Sequence, residues 1–280
     1  VPAQAASVTF TVNTLTDGVD ANPGNGTCAT SGGLCTLRAA IQEANAVPAN
    51  TYTIGFSVAG TIELGGSGAL SPIGSPGLTI DGSTAPGYSV GGGPVVTLRG
   101  DKVNGGINGI TVAAANVTVR GLRLGNFGRA VLIDAASPGA RIVGNQIGVG
   151  ASGYDANLAV AAAVFVYSGS AVIGGPTAAD RNVVGGFLAK GISVRSGTGS
   201  LIEGNYIGTN PAGTASAKNP SGTALFTIYD VTPTPNTGIE AAVAGLTIRG
   251  NLISGNAGYG IDVYANGSQA TIVGNKIGSD

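Results

Sequence analysis

A six-residue pattern, Ile-x-Gly-Asn-x-Ile, returns four times along the chain, at Ile142–Ile147, Ile202–Ile207, Ile248–Ile253 and Ile272–Ile277. A fifth asparagine, in Arg181-Asn182-Val183-Val184, precedes Gly191-Ile192 by nine residues, just as Asn251 precedes Gly260-Ile261. The five asparagines, Asn145, Asn182, Asn205, Asn251 and Asn275, are separated by 37, 23, 46 and 24 residues. Short turns of about 23 residues thus alternate with longer ones that carry insertions, which is the mark of a solenoid. Upstream the register continues without the asparagine. Ile80-Asp81-Gly82, Leu98-Arg99-Gly100 and Val119-Arg120-Gly121 space their glycines by 18 and 21 residues, with 23 more to Gly144.

Between these corners the β-like alternations are only two or three residues long, as in Ile110/Val112, Val131/Ile133, Ile192/Val194 and Ile261/Val263. Strands this short have no stability alone, so each must hydrogen-bond to its equivalent in the next coil. The fold expected is all-β: a parallel β-helix of about ten coils over residues 51–280, each coil rising by one strand spacing of about 4.8 Å. Right-handedness follows from the crossover rule. Glycine serves the corners, where positive φ is needed. Stacked asparagine amides can bond along the axis, and Asn145, Asn182, Asn205, Asn251 and Asn275 are the expected ladder. The flanking isoleucines (142, 147, 202, 207, 248, 253, 272 and 277) should point inward as columns of a narrow core.

Composition agrees. The 280 residues include 50 glycines, with 43% hydrophobic and only 10% charged residues. Disordered chains are poor in apolar residues and rich in net charge, which excludes that class. Glycine without a strict three-residue period excludes collagen, and glycine at this density disfavours long helices. Leucine-rich repeats and calcium-binding nonapeptide repeats lack their signatures here. A net charge of −1 gives no electrostatic reason to expect nucleic acid, and no apolar run is long enough to span a bilayer.

Residues 1–50 stand apart from the repeat. Val8, Phe10 and Val12 alternate as a strand, and Asp17–Gly33 is a polar loop. Thr36 is placed to cap a helix whose Leu37, Ala40, Ile41 and Ala44 form one apolar face, a plug over the open end of the solenoid. Cys28 and Cys35 are the whole cysteine complement; an even count favours a disulfide closing a small loop. The stretch Cys35-Thr-Leu-Arg-Ala-Ala-Ile-Gln-Glu-Ala-Asn45 resembles the Cys-Ser-Leu-Arg-Glu-Ala-type N-terminal segment of exported bacterial repeat proteins. Val172-Ile173-Gly174-Gly175, Arg181-Asn182-Val183 and Asn205-Tyr206-Ile207-Gly208-Thr209 are similar to their right-handed β-helix repeats, of pectin-lyase-like fold. Thr36 stands for Ser and Ala39 for Glu. The resemblance implies export and a cell-surface or extracellular setting, and it implies no defined reaction. The start Val1-Pro2-Ala3-Gln4-Ala5-Ala6 fits the last residues of a removed leader.

The pectin-lyase-like fold hosts polysaccharide lyases and glycosidases, so catalysis is weighed directly. Hydrolysis needs two carboxylates roughly 5–9.5 Å apart. The 14 acidic residues are scattered, and the only close pair is Asp17/Asp20 in the N-terminal loop. There is no histidine, which removes the commonest general base. The residues preceding each corner glycine (Asp81, Arg99, Arg120, Val143, Glu203, Arg249 and Val273) read as a surface charge ladder rather than a metal site. Asp101 with Lys102, Asp134, and an outward Asp262 read as isolated solvated groups. Aromatic residues concentrate in the C-terminal half (Tyr154, Phe165, Tyr167, Tyr206, Tyr229, Tyr259, Tyr264), where Tyr259 and Tyr264 flank one strand. Asn-x-Ser/Thr triplets at Asn25, Asn116 and Asn266 are expected by chance in so Asn- and Thr-rich a chain.

No catalytic, cofactor or metal residues are therefore assigned, and the sequence leans away from an enzyme. The expectation is a secreted, non-catalytic structural β-helix. Its end Lys276-Ile277-Gly278-Ser279-Asp280 breaks off in mid-repeat, which is expected of a chain cut from a longer protein, of one missing a disordered tail, or of one whose end pairs head-to-tail with another subunit into a fibre. The alternative is a polysaccharide-binding or polysaccharide-degrading β-helix. Outward acids and aromatics gathered on one face would favour that alternative.

Overall fold

The computed structural model of the chain describes residues 6–64, 68–100, 107–134, 137–153, 155, 160–217, 236–267 and 269–278. Asp101, Lys102, Tyr154 and Tyr229 lie outside them. Among the described residues the chain winds through three parallel sheets of nine, eight and six strands. The first sheet runs from Ser7–Val12 and Thr51–Phe56 through Thr79–Asp81, Thr118–Arg120, Ala140–Val143, Ala171–Gly174, Leu201–Glu203 and Thr247–Arg249 to Thr271–Val273. The second begins at Gly60–Glu63 and ends at Lys276–Ile277, and its last five strands have two residues each. The third comprises Ile110–Val112, Arg129–Ile133, Val160–Val166, Phe187–Val194, Thr237–Ala241 and Ile261–Val263.

Even spacing of 23 residues gave about ten coils from residue 51 on; eight strands of the first sheet are described there, with Ser7–Val12 added as a ninth rung. The difference lies in the insertions. The strands Leu201–Glu203 and Thr247–Arg249 are adjacent rungs although 46 residues separate Asn205 from Asn251.

Register is held by columns of apolar, mostly aliphatic side chains. Phe10, Ile54, Ile80, Val119, Ile142, Ile173, Ile202 and Ile248 lie over one another in the first sheet and are all buried. Ile62, Leu98, Leu124, Ile147, Val184, Ile207 and Ile253 form the second column. Each such burial contributes about 1.5–3 kcal/mol. Ile272 and Ile277 continue the two columns but are 43% and 51% exposed, being in the last rung of the described residues.

Where the first sheet turns into the second, the five asparagines stack. Asn182 Oδ1 accepts from the backbone N–H of Asn145 at 3.0 Å and from its Nδ2 at 3.2 Å. Asn205 Oδ1 does the same for Asn182, Asn251 for Asn205, and Asn275 for Asn251, all between 2.9 and 3.2 Å. Each Nδ2 also donates back to a carbonyl of the preceding rung, as Asn205 Nδ2 does to Ile173 O at 2.9 Å. The residue before four of the five asparagines is a glycine with φ between +64° and +67°, while Arg181 precedes Asn182. Gly204 has φ +67°, and a Cβ there would run into the carbonyl oxygen of Gly175.

The N-terminal cap is built around the helix Leu37–Ala46. Thr36 Oγ1 accepts from Ala39 N at 3.0 Å, and Leu37, Ala40, Ile41 and Ala44 are buried against the first rungs. The polar residues of the helix face the loop and hold it. Arg38 makes a two-point ion pair with Asp17 at 2.7 and 2.8 Å and donates to the carbonyls of Gly68 and Ala69. Glu43 accepts from Gly24 N and Gly26 N, and Gln42 accepts from Asp20 N. A disulfide joins Cys28 to Cys35. No helix of the described residues is long and apolar enough to cross a membrane.

Replacing Asn205 by Ala strands the backbone N–H of Asn182 and the carbonyl of Ile173 in a buried corner, and should cost about 2–4 kcal/mol. Asn275→Ala, in the less covered final rung, should cost clearly less. Thermal unfolding followed by circular dichroism gives the comparison, and equal losses would remove the ladder's special role.

Candidate functional site

The third sheet differs from the other two in strand length. Val160–Val166 and Phe187–Val194 have seven and eight residues, enough to present a flat outer face. Inward positions on these strands are aliphatic, as in Val131/Ile133, Val164/Val166 and Ile192/Val194, all buried. Alternation then forces the intervening side chains outward. Leu132, Phe165, Ser193, Glu240 and Asp262 fall in one outward column. One step beyond, Asp134, Tyr167 and Arg195 extend three neighbouring strands.

Glu240 organises this face. Its Oε2 lies 3.0 Å from Lys190 Nζ, and both side chains are 3% exposed. Its Oε1 accepts from Arg195 Nε at 2.8 Å and from Ser193 Oγ at 2.9 Å. Burial, the largest single influence, pushes the carboxyl group's pKa up. The hydrogen bonds from Arg195, Lys190 and Ser193, with the Lys190 charge, outweigh it and hold Glu240 below the usual carboxylate range. Glu240 is therefore a fixed anion that positions cations. It is not poised to donate a proton.

Arg195, held from one side by Glu240, sits over Phe165 with its guanidinium carbon 4.9 Å from the ring centroid. Arg129 sits over the same ring at the same distance. Phe165 stacks on Tyr167 with centroids 6.3 Å apart, and Tyr167 is 57% exposed. Arg129, Leu132, Asp134, Phe165 and Tyr167 line a shallow depression. The result is two planar cations braced against a buried ring, next to an exposed aromatic face.

The sequence did not announce this gathering, because Lys190, Glu240 and Asp262 are one or two coils apart in the chain. A signal does exist. Gly191-Ile192, Gly238-Ile239 and Gly260-Ile261 mark equal register, and two residues after each glycine stand Ser193, Glu240 and Asp262. The Glu240/Asp262 neighbourhood thus corrects the expectation of scattered acids, and Asp134 and Asp262 belong to this face rather than to isolated positions.

Other expected groups lie elsewhere. Asp17 is committed to Arg38, and Asp20 accepts from Asn22 N and Ala29 N, so the close acidic pair serves the cap. The charge ladder is real but shorter than expected. Asp81 pairs with Arg120 at 3.6 Å and Glu203 with Arg249 at 2.7 Å on neighbouring rungs. Arg99 is not in that column; it belongs to the second sheet and pairs with Glu63 at 2.8 Å. The 18-residue step to Gly100 is a lengthened passage from one sheet to the next rather than a full coil. Tyr259 and Tyr264 are exposed beside Ile261–Val263, while Tyr206 carries Arg181 on its ring at 4.2 Å. Among the described residues no three metal-ligating side chains converge.

A protein-family model described as "Right handed beta helix region" matches residues 61–277. No curated protein sequence matches the chain. Among solved structures it is similar to the alginate lyase from Paenibacillus sp. str. FPU-7, with 17% identity, 96% of each chain covered and a TM-score of 0.45. At that score the likeness carries no argument.

Because Glu240 is lowered in the native state, its contribution to stability is fully present well above the unfolded carboxyl value of about 4.3 and is lost as pH falls through the native value. Glu240→Gln leaves Lys190 buried without its counter-charge and should cost about 3 kcal/mol or more at neutral pH. It should also flatten the fall in melting temperature between neutral pH and pH 3. Calorimetry across that range would contradict the assignment if the variant's acid sensitivity matched the wild type's.

Proposed function

Since the chain belongs to the right-handed β-helix family, we propose that it is an extracellular polysaccharide-binding β-helix whose binding face is the outer surface of the third sheet. The observation that carries this reading is the pair Arg129 and Arg195 set over one ring, with Tyr167 exposed beside it. A saccharide offers hydroxyl and ring oxygens that planar, forked donors recognise, and an apolar C–H face that stacks on an aromatic ring. A polymer of sugars also repeats along its length, and this face repeats along the helix axis at about 4.8 Å per rung.

A purely structural rod or head-to-tail fibre subunit needs only covered columns and compatible ends. It gives no reason for Lys190, Ser193, Arg195 and Glu240 to converge beneath an exposed aromatic platform. The convergence of acids and aromatics on one face favours the ligand-binding reading. Cleavage is not part of the proposal: Glu240 is buried and engaged by Lys190, Ser193 and Arg195. The Cys28–Cys35 disulfide supports a setting outside reducing compartments.

Affinity electrophoresis through gels containing a panel of neutral and acidic polysaccharides tests the reading. Wild-type protein should be retarded by at least one polymer, and Tyr167→Ala and Arg195→Gln should each weaken that retention at least tenfold while circular dichroism stays unchanged. Equal retention of both variants, or migration of the wild type unaffected by every polymer, would sink it.

A further inference from the structure

A second cleft lies at the corner between the first and second sheets, away from the third-sheet face. Two insertions form its walls. Residues 82–95 leave the corner after strand Thr79–Asp81, and residues 175–182 leave it after Ala171–Gly174. Two tight-cornered rungs, carrying Thr118–Arg120 and Ala140–Val143, lie between them. The insertions therefore spring from points three strand spacings apart, roughly 14 Å, which leaves room for a ligand of one sugar ring. Tyr88, Gly93, Pro94, Gln146 and Arg181 line the space.

Three of the polar side chains lining this cleft, Tyr88, Gln146 and Arg181, can serve as hydrogen-bond donors. Arg123 Nε and Nη2 both donate to Gln146 Oε1, at 3.1 and 3.0 Å. That occupies the amide's acceptor and leaves its Nε2 as the end Gln146 offers. The Nε2 lies against Gly93, where φ is +78° and an added Cβ would come within 2.6 Å of it. Arg181 is held by its Nε on the Gly204 carbonyl at 3.3 Å and by its face on Tyr206. Burial raises the Tyr88 phenol above its ordinary pKa, against the opposing pull of Arg120, so it stays protonated. Among the described residues lining the cleft there is no carboxylate. The nearby acids are engaged: Asp180 by Thr177 Oγ1 at 2.6 Å, and Asp81, which adds to the rise at Tyr88, by Ser83 and Arg120, while the charge of Asp155 acts on Arg123.

From these three donors, in a lining without a carboxylate, we infer that the cleft is a separate binding site for a monosaccharide unit carrying an oxyanion, either a carboxylate or a sulfate ester, with Arg181 as the charge partner and Gln146 and Tyr88 as the neutral donors. Arg123 acts as a positioning residue through Gln146. The site stands independently of the polysaccharide face.

Isothermal titration of the intact protein with glucuronate, glucose 6-sulfate and glucose tests the inference. One or both anions should bind and glucose should not, and whichever anion binds names the oxyanion. Arg181→Gln should weaken binding at least tenfold and Tyr88→Phe by a smaller factor, both with unchanged melting temperature. Tyr259→Ala, an exposed position that lines neither candidate site, should leave the affinity as it is. The inference is overturned if none of the three ligands binds, if glucose binds as well as the anions, or if Tyr88→Phe and Arg181→Gln both bind like the wild type.

Discussion

Everything in this molecule depends on one rung being the template for the next. A two-residue strand such as Gln146–Ile147 forms only because Arg123-Leu124 and Val183-Val184 lie above and below it in register. The corner asparagines fix that register most tightly, since the side-chain oxygens of Asn182, Asn205, Asn251 and Asn275 each take two donors from the preceding asparagine, and every side-chain nitrogen of the stack reaches back to a carbonyl of the rung before. A slip of one residue would leave several buried polar groups unpaired at every corner at once, at a cost of about 1–3 kcal/mol for each. The aliphatic columns supply most of the burial. The ladder specifies which coil lies over which.

That template constrains where function can reside. Inward columns take apolar side chains, and four of the five asparagine corners are Gly-Asn. Variation is left to the outward columns and the insertions, and both candidate sites use it. The third-sheet face gathers Lys190, Ser193, Arg195 and Glu240 from separate coils through strand register. The corner cleft arises because two of the tight corners are replaced by loops. The buried Lys190–Glu240 pair is not an efficient source of stability, because desolvating two charges offsets most of their attraction. Its consequence is geometric: Arg195 is held on Phe165 rather than free in solvent.

Much of the architecture was legible in the sequence because its cause is periodic. The Gly-Asn corners, the isoleucine columns and the capping residues Thr36, Leu37, Ala40, Ile41 and Ala44 are local or repeating patterns. The coil count was less legible, because an insertion lengthens the interval without adding a rung, as between Asn205 and Asn251. Arg99 was misplaced for the same reason: its glycine keeps the spacing of a full coil while the loop 82–95 carries it to another sheet. The third-sheet face was the hardest to see. Its residues are unremarkable singly, and the Gly-Ile dipeptides that align Ser193, Glu240 and Asp262 carry no chemistry of their own. The role of Arg38, Gln42 and Glu43 was also hidden, since a helical pattern shows which face is apolar and not which loop the polar face will hold.

Native-state hydrogen exchange at the corner amides tests the template account most directly. The backbone N–H groups of Asn145, Asn182 and Asn205, each donating to the next asparagine in a buried corner, should be among the slowest to exchange and should open together, with free energies near that of global unfolding. If they exchange as fast as the amides of the exposed loops, coil register is being set elsewhere and the asparagine stack is only a consequence of the fold.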